Sequence, residues 1–278
     1  MKQIVASLKV CRYQIKMWKE SPKIYLVFIC MFIFLTTYLL PVRVFLEQVG
    51  EAASPFILPF LFSNGILSAI LFLGIVILFC NAPFYNNNHV FIVLRVGKQS
   101  WIVGQMMYIF AASIWYMVLM FLLSILILVP YTNMDGVWGR IWTTLALTDA
   151  RVQFMIPFQI FYELIIRYKP IESIFLILVI GSLVCYFLGI MLWLINISLG
   201  RRVSIVLVMA SLLLTSRVTN LPSWVKFLAP ISWLDLSKLS EYAPYGMSGF
   251  KVIILLIAVN IVLSVSVFIK MKHTDIAD

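Results

Sequence analysis

The chain has 278 residues, of which 63% are hydrophobic and only 12% charged. A soluble domain carries about a quarter charged residues, so this chain has too little polar surface to face water on all sides. That excludes a soluble enzyme, a disordered chain and a nucleic-acid-binding domain. The net charge of +10 then reads as the cytoplasmic bias of a membrane protein, not as an affinity for nucleic acid. The four cysteines, at 11, 30, 80 and 185, have no metal or disulfide spacing. They read as small hydrophobes. Two histidines in the whole chain leave no histidine-based metal site.

In chain order, residues 1–20 come first as an amphipathic helix. Ile4, Leu8, Cys11, Ile15 and Trp18 recur at spacings of four, three, four and three, which places them on one stripe. Lys2, Lys9, Arg12, Lys16 and Lys19 adjoin it. Such a helix lies flat in the inner interface, with its basic side toward anionic lipid headgroups. Ser21-Pro22 ends it. The basic lead-in and apolar run are both long for a cleaved signal peptide, so the run that follows reads as an uncleaved first span.

Six runs free of Asp, Glu, Lys and Arg follow: 24–40, 55–80, 102–130, 173–197, 203–216 and 252–269. A helical span needs about 20 apolar residues. The fifth run has 14 and does not span comfortably alone. With no alternating pattern of a membrane barrel, the sequence predicts an all-α polytopic membrane protein with six transmembrane helices in a single membrane domain, 1–278. With the amino terminus inside, the inner segments hold 12 basic residues against three acids, and the outer ones nine against eight. Both termini are therefore expected in the cytoplasm.

The loop after span two reads as a short helix over 87–96. Asn86–Asn88 supply N-cap chemistry, and Gly97 suits the position just past a helix C-terminus. Phe91, Leu94 and Arg95 lie within reach of one another, rimmed by His89 and Lys98. An apolar helix of two turns is costly to leave in water, so it docks either on its own spans or on a cytoplasmic subunit. Gly97-Lys98-Gln99-Ser100 is not a phosphate loop: Ile92 stands where the earlier glycine belongs, and Gln99 parts the lysine from the serine.

The outer segment 131–172 mixes aromatics with charges, including Trp138, Trp142, Phe158 and Tyr168. It reads as one or two short helices in the headgroup zone, either anchoring the protein or gating it. In the fourth span Gly181, Cys185 and Gly189 form a small-residue stripe that packs within the chain or across a dimer. Residues 222–236, with Trp224, Phe227 and Trp233 on pieces split by Pro230, read as broken re-entrant outer helices between spans five and six.

The six runs hold no Asp, Glu, Lys, Arg or His; their polar residues are neutral and include Thr36, Thr37, Ser63, Asn64, Ser113, Ser124, Asn196, Asn260 and Ser264. Interhelical hydrogen bonding is their expected role, with Asn64 and Asn260 as candidate pathway groups. Ion-coupled transporters keep a carboxylate or histidine in the membrane, and an intramembrane protease needs a catalytic set. A transporter built this way takes its energy from another chain.

Taken together, the amphipathic first helix, six spans with both ends inside, a short helix between spans two and three and a broken segment between spans five and six resemble the permease subunits of ABC-2-type ABC exporters. The Arg95-Val96-Gly97 turn followed by Trp101 and Gly104-Gln105 is similar to the entry to span three in bacterial members. The resemblance implies a multi-pass protein of the bacterial plasma membrane. Residues 4–18 would be a connecting helix against the ATPase, contributing Ile4, Leu8, Arg12, Ile15, Lys16 and Trp18. Residues 87–96 would be the coupling helix, contributing Asn87, His89, Phe91, Leu94 and Arg95. The 198–202 turn, with Arg201 and Arg202, would be a second contact, and Trp224, Phe227, Pro230 and Trp233 would close the exit. The partners implied are ABC ATPase subunits, a second permease copy and membrane lipid. ATP and Mg belong to the ATPase, and this chain holds no cofactor. The cargo expected is hydrophobic or amphipathic, such as an antimicrobial peptide, a drug or a lipid-like molecule. The 131–172 segment is longer than the family pattern. The competing reading is a non-transporting membrane scaffold or sensor that binds a cytoplasmic regulator.

Overall fold

The computed structural model describes residues 2–85, 89–134, 136–216, 230–239 and 247–274. Among them every regular element is helical, apart from an isolated parallel bridge between Ala53 and Thr132. Helix α1 (Lys2–Lys16) runs into a 3-10 turn at Met17–Glu20, and Ser21 is extended. Pro22 then opens α2 (Pro22–Val49), where its missing N–H costs nothing. Gly50 closes α2 at φ 70°, donating its N–H to Leu46 O at 2.9 Å.

The run at 55–80 is not one helix. It breaks at Ser63–Asn64 into α3 (Leu58–Phe62) and α4 (Gly65–Phe79). Asn64 Oδ1 accepts from Ile66 N at 3.0 Å and Leu67 N at 3.3 Å, which satisfies two of the amides that a helix start leaves free. A hydropathy run averages over a lone asparagine and hides this cap.

Helix α5 (His89–Val96) meets α6 (Lys98–Leu128) at Gly97, φ 83°. The Gly97 N–H donates to Val93 O at 2.9 Å while its carbonyl accepts from Trp101 N at 3.0 Å, so one left-handed residue ends one helix and starts the next. The described residues of 131–172 hold three short helices, α7 (Gly139–Leu147), α8 (Ala150–Gln153) and α9 (Tyr162–Arg167). Then come α10 (Pro170–Leu199) and α11 (Arg201–Ser216), two 3-10 turns at Pro230–Leu234 and Leu236–Lys238, and α12 (Gly249–His273). Among the described residues four helices, α2, α6, α10 and α12, are long and apolar enough to cross a membrane. At 15 and 16 residues, α4 and α11 fall short of that length.

Helices α6 and α10 form the centre, and α2 and α12 keep more apolar surface on the outside. The centre is tight because of glycine. A Cβ on Gly189 would sit 2.6 Å from Ile109 Cγ2 and 2.8 Å from Phe79 Cδ2, and one on Gly181 would overlap the Met117 side chain. Cys185 between them is fully buried. The small-residue stripe therefore packs within the chain, against α6 and α4.

The short hydroxyls behave differently from expectation. Thr36, Thr37, Ser63 and Ser113 bond the carbonyl four residues back in their own helix, and Ser124 the one three back, because their side chains reach little further. The longer amides do cross between helices. Asn260 Nδ2 donates to Leu183 O at 3.1 Å. Ser264 pairs with a partner long enough to reach it, Tyr186 OH, at 2.8 Å.

Hydrogen bonds sort the connecting segments into two ends. At one end Lys98 Nζ reaches Lys272 O at 3.0 Å and Thr274 O at 2.6 Å, Lys270 Nζ reaches Ser198, and Trp18 Nε1 donates to Tyr108 OH at 2.8 Å. At the other end Trp142 Nε1 donates to Ser54 O at 3.0 Å, and Trp138 Nε1 to Tyr168 O at 2.7 Å. The basic segments expected on one side of the membrane thus gather at one end of the bundle.

Candidate functional site

At the basic end α1 lies along the start of α6. Gly104 permits the approach: a Cβ there would stand 2.6 Å from Val10 Cβ and 2.7 Å from Ser7 O. The buried face of α1 is therefore Ser7, Val10, Cys11 and Gln14, turned from the stripe that spacing predicts. Of that stripe, Cys11 is buried, Ile15 and Trp18 are half-buried, and Ile4 and Leu8 stay exposed. Burial raises the Cys11 thiol above its ordinary pKa. Arg12 and Lys16 point outward with Ile4 and Leu8.

Helix α5 packs against α6 and α1, yet none of its residues is buried. Phe91 is 72% exposed and Leu94 78%, while Arg95 is exposed between their turns and His89 half-buried. Residues 91, 94 and 95 share one helical face. Helix α5 is the elbow of the chain between α4 and α6, and Tyr85 fixes its start: the Tyr85 ring stacks on Trp101 at 5.8 Å and meets His89 at 5.0 Å. Burial raises its phenol above the usual value. Asn87 lies outside the described residues.

Between α1 and α5 runs a groove of about 950 Å³. Val5, Ala6, Val10 and Tyr13 form one wall, and Ile92 and Val96 the other; Lys9 and Arg95 supply charge. Sequence reading found the two helices but not the groove between them. Gly104 was the available signal, a glycine in a helix interior where another backbone comes close. Arg201 and Arg202 are exposed at the same end, just past the Gly200 turn.

The opposite end carries a cap. The aromatics of 131–172 are packed in protein more than set in a headgroup layer: Trp138, Trp142 and Phe158 are buried, and Phe60 of α3 lies 5.0 Å from Trp138 and 5.1 Å from Trp142. The broken helix at α3 presents the platform that makes this possible. The 3-10 turn at 230–234 packs against α10, α4 and α11, and the one at 236–238 against α9. Leu234 Cδ2 comes within 3.4 Å of where Gly181 would carry a Cβ, about 16 Å along α10 from its start at the rise of a helix. Trp233 is buried. These turns carry an ion pair against a bundle whose spans were read as charge-free. Asp235 is buried, its Oδ1 accepts from Ser237 Oγ at 2.6 Å, and Lys238 Nζ lies 2.6 Å from its Oδ2. Pro230 opens the first turn; Trp224 and Phe227 lie outside the described residues.

Helix α9 ties the cap down. Arg167 Nη1 donates to Ser237 O and Leu239 O, both at 3.4 Å, and Tyr168 OH to Leu239 O at 3.0 Å. Burial raises the Tyr168 phenol above its ordinary 10.0, with Arg167 opposing and Glu172 reinforcing. Its proton is therefore held beyond pH 10, and this contact is lost only as pH rises through the raised value. No spacing in the sequence pointed to this pair.

Comparison with protein families, with characterised proteins and with solved structures finds no match.

Proposed function

We propose that this chain is the permease subunit of an ABC-2-type exporter in the bacterial plasma membrane, with the basic end in the cytoplasm. The observation that carries the reading is the elbow. A two-turn apolar helix is held at the basic end with Phe91 and Leu94 in the open, beside a groove walled by a second amphipathic helix. Exposed apolar surface framed by charge marks a docking site. In this reading, separate ATPase subunits seat against α5 and α1, with Arg201 and Arg202 as a further contact. ATP and Mg stay in those subunits. Their closure on ATP pushes the elbow, and the spans of two paired permeases alternately open the pathway. The six passes are the four long helices plus α3–α4 and α11. Asn260 has a buried Oδ1 without a hydrogen bond, which suits a pathway group. The cargo is hydrophobic or amphipathic, an antimicrobial peptide being the clearest example.

The test is co-purification with a candidate ATPase subunit. Phe91→Ala and Arg95→Glu are expected to weaken association at least tenfold while membrane insertion stays intact. Association equal to that of the unaltered chain would remove α5 from the interface and favour a scaffold that binds a regulator elsewhere.

A further inference from the structure

One side chain ties the chain leading into the elbow to α10 and α11 at once. Asn196 lies in the last turn of α10. Its Nδ2 donates to Cys80 O at 3.2 Å and to Ala82 O at 2.5 Å, the carbonyls where α4 ends and the chain turns toward α5. Its Oδ1 accepts from Ser204 Oγ in the first turn of α11. Ser204 is fully buried. Both amide hydrogens and the amide oxygen are thus spent, on three partners in two segments. A second, weaker tether comes from α6, where the buried Gln105 donates to Phe84 O at 3.4 Å.

We propose that Asn196 is the positioning residue that makes the elbow and the 198–202 turn move as one body with the ends of α4, α10 and α11. This rests on the reading of the elbow as the ATPase contact. The two segments assigned to that contact are distant in sequence, and Asn196 bonds Cys80 and Ala82 on the way into the first and Ser204 just past the second. A loop between two helices transmits little force if its carbonyls bond only to water. Here alternate carbonyls, at 80, 82 and 84, are held by amides of the two central helices. A push on α5 therefore reaches α10 and, through Ser204, α11. A serine or alanine at 196 could not span the three partners. An aspartate would keep the size and the acceptor for Ser204 but turn a second oxygen toward two carbonyls.

The experiment uses the full chain in lipid nanodiscs, read by hydrogen exchange. Asn196→Asp is expected to speed exchange in the described amides of 79–96 at least tenfold, with exchange in the middle of α10 unchanged. Ser204→Ala, which leaves both donations to the loop in place, is expected to keep 79–96 within twofold of the unaltered chain. With the ATPase added, Asn196→Asp should still bind, because the exposed face of α5 is untouched, yet transport per ATP consumed should fall at least tenfold. Unchanged exchange at 79–96 in Asn196→Asp, acceleration spread evenly over all helices, or full coupling in that variant would overturn the proposal. Failure of the unaltered chain to bind any ATPase would sink the exporter reading while leaving the exchange result to stand on its own.

Discussion

Gly104→Val is expected to lift α1 off the bundle. A Cβ at 104 alone would stand 2.6 Å from Val10 Cβ and 2.7 Å from the Ser7 carbonyl oxygen. Neither atom is the end of a flexible side chain, so neither can swing aside. Overpacking usually costs about 1–3 kcal/mol, and a clash with backbone belongs at the top of that range. Escape requires α1 to withdraw, which exposes Val10 and removes one wall of the α1–α5 groove. Tryptic cleavage at Lys9, Arg12 and Lys16 should accelerate at least tenfold, and association with the ATPase should fall at least as much. Val10→Gly in the same chain deletes the nearer clash and should restore part of the protection, as contacting sites are non-additive. Unchanged cleavage in Gly104→Val would mean that α1 does not rest on α6.

The second large effect is expected at the other end. Trp142 is fully buried, stacks on Phe60 at 5.1 Å and donates to Ser54 O. Truncating a buried tryptophan to alanine costs about 3–5 kcal/mol, and here a buried carbonyl also loses its donor. Trp142→Ala should therefore release the 139–167 cap. Cleavage by trypsin at Arg140, Arg151 and Arg167 is expected to rise at least tenfold in vesicles that expose that face. Trp142→Phe keeps most of the stacking and forfeits one hydrogen bond, a loss of about 1 kcal/mol, so its cap should stay resistant. Equal cleavage in all three proteins would show that the cap is not held by this residue.

Much of the architecture was written in residue pattern. Charge-free runs marked where the long helices lie, because apolar length is what a bilayer selects. Ser21-Pro22 and Gly97 marked helix ends through backbone chemistry alone. What stayed hidden was pairing across distance. The docked face of α1, the Arg167–Tyr168 clamp and the tethers from Gln105 and Asn196 each depend on which segments meet. Spacing along the chain carries no record of that. The predicted stripe on α1 shows the difference well. Spacing picked out Ile4 and Leu8, whereas Gly104 on another helix decided that Ser7 and Val10 turn inward.

The account stands on the elbow facing the cytoplasm, where a nucleotide-consuming partner can reach it. Leu94 is a fitting probe, being 78% exposed. Leu94→Cys should be labelled by a membrane-impermeant maleimide only after cells are broken open, with the unaltered chain run in parallel to account for its own cysteines. Labelling of Leu94→Cys in intact cells would place the elbow outside and contradict the account.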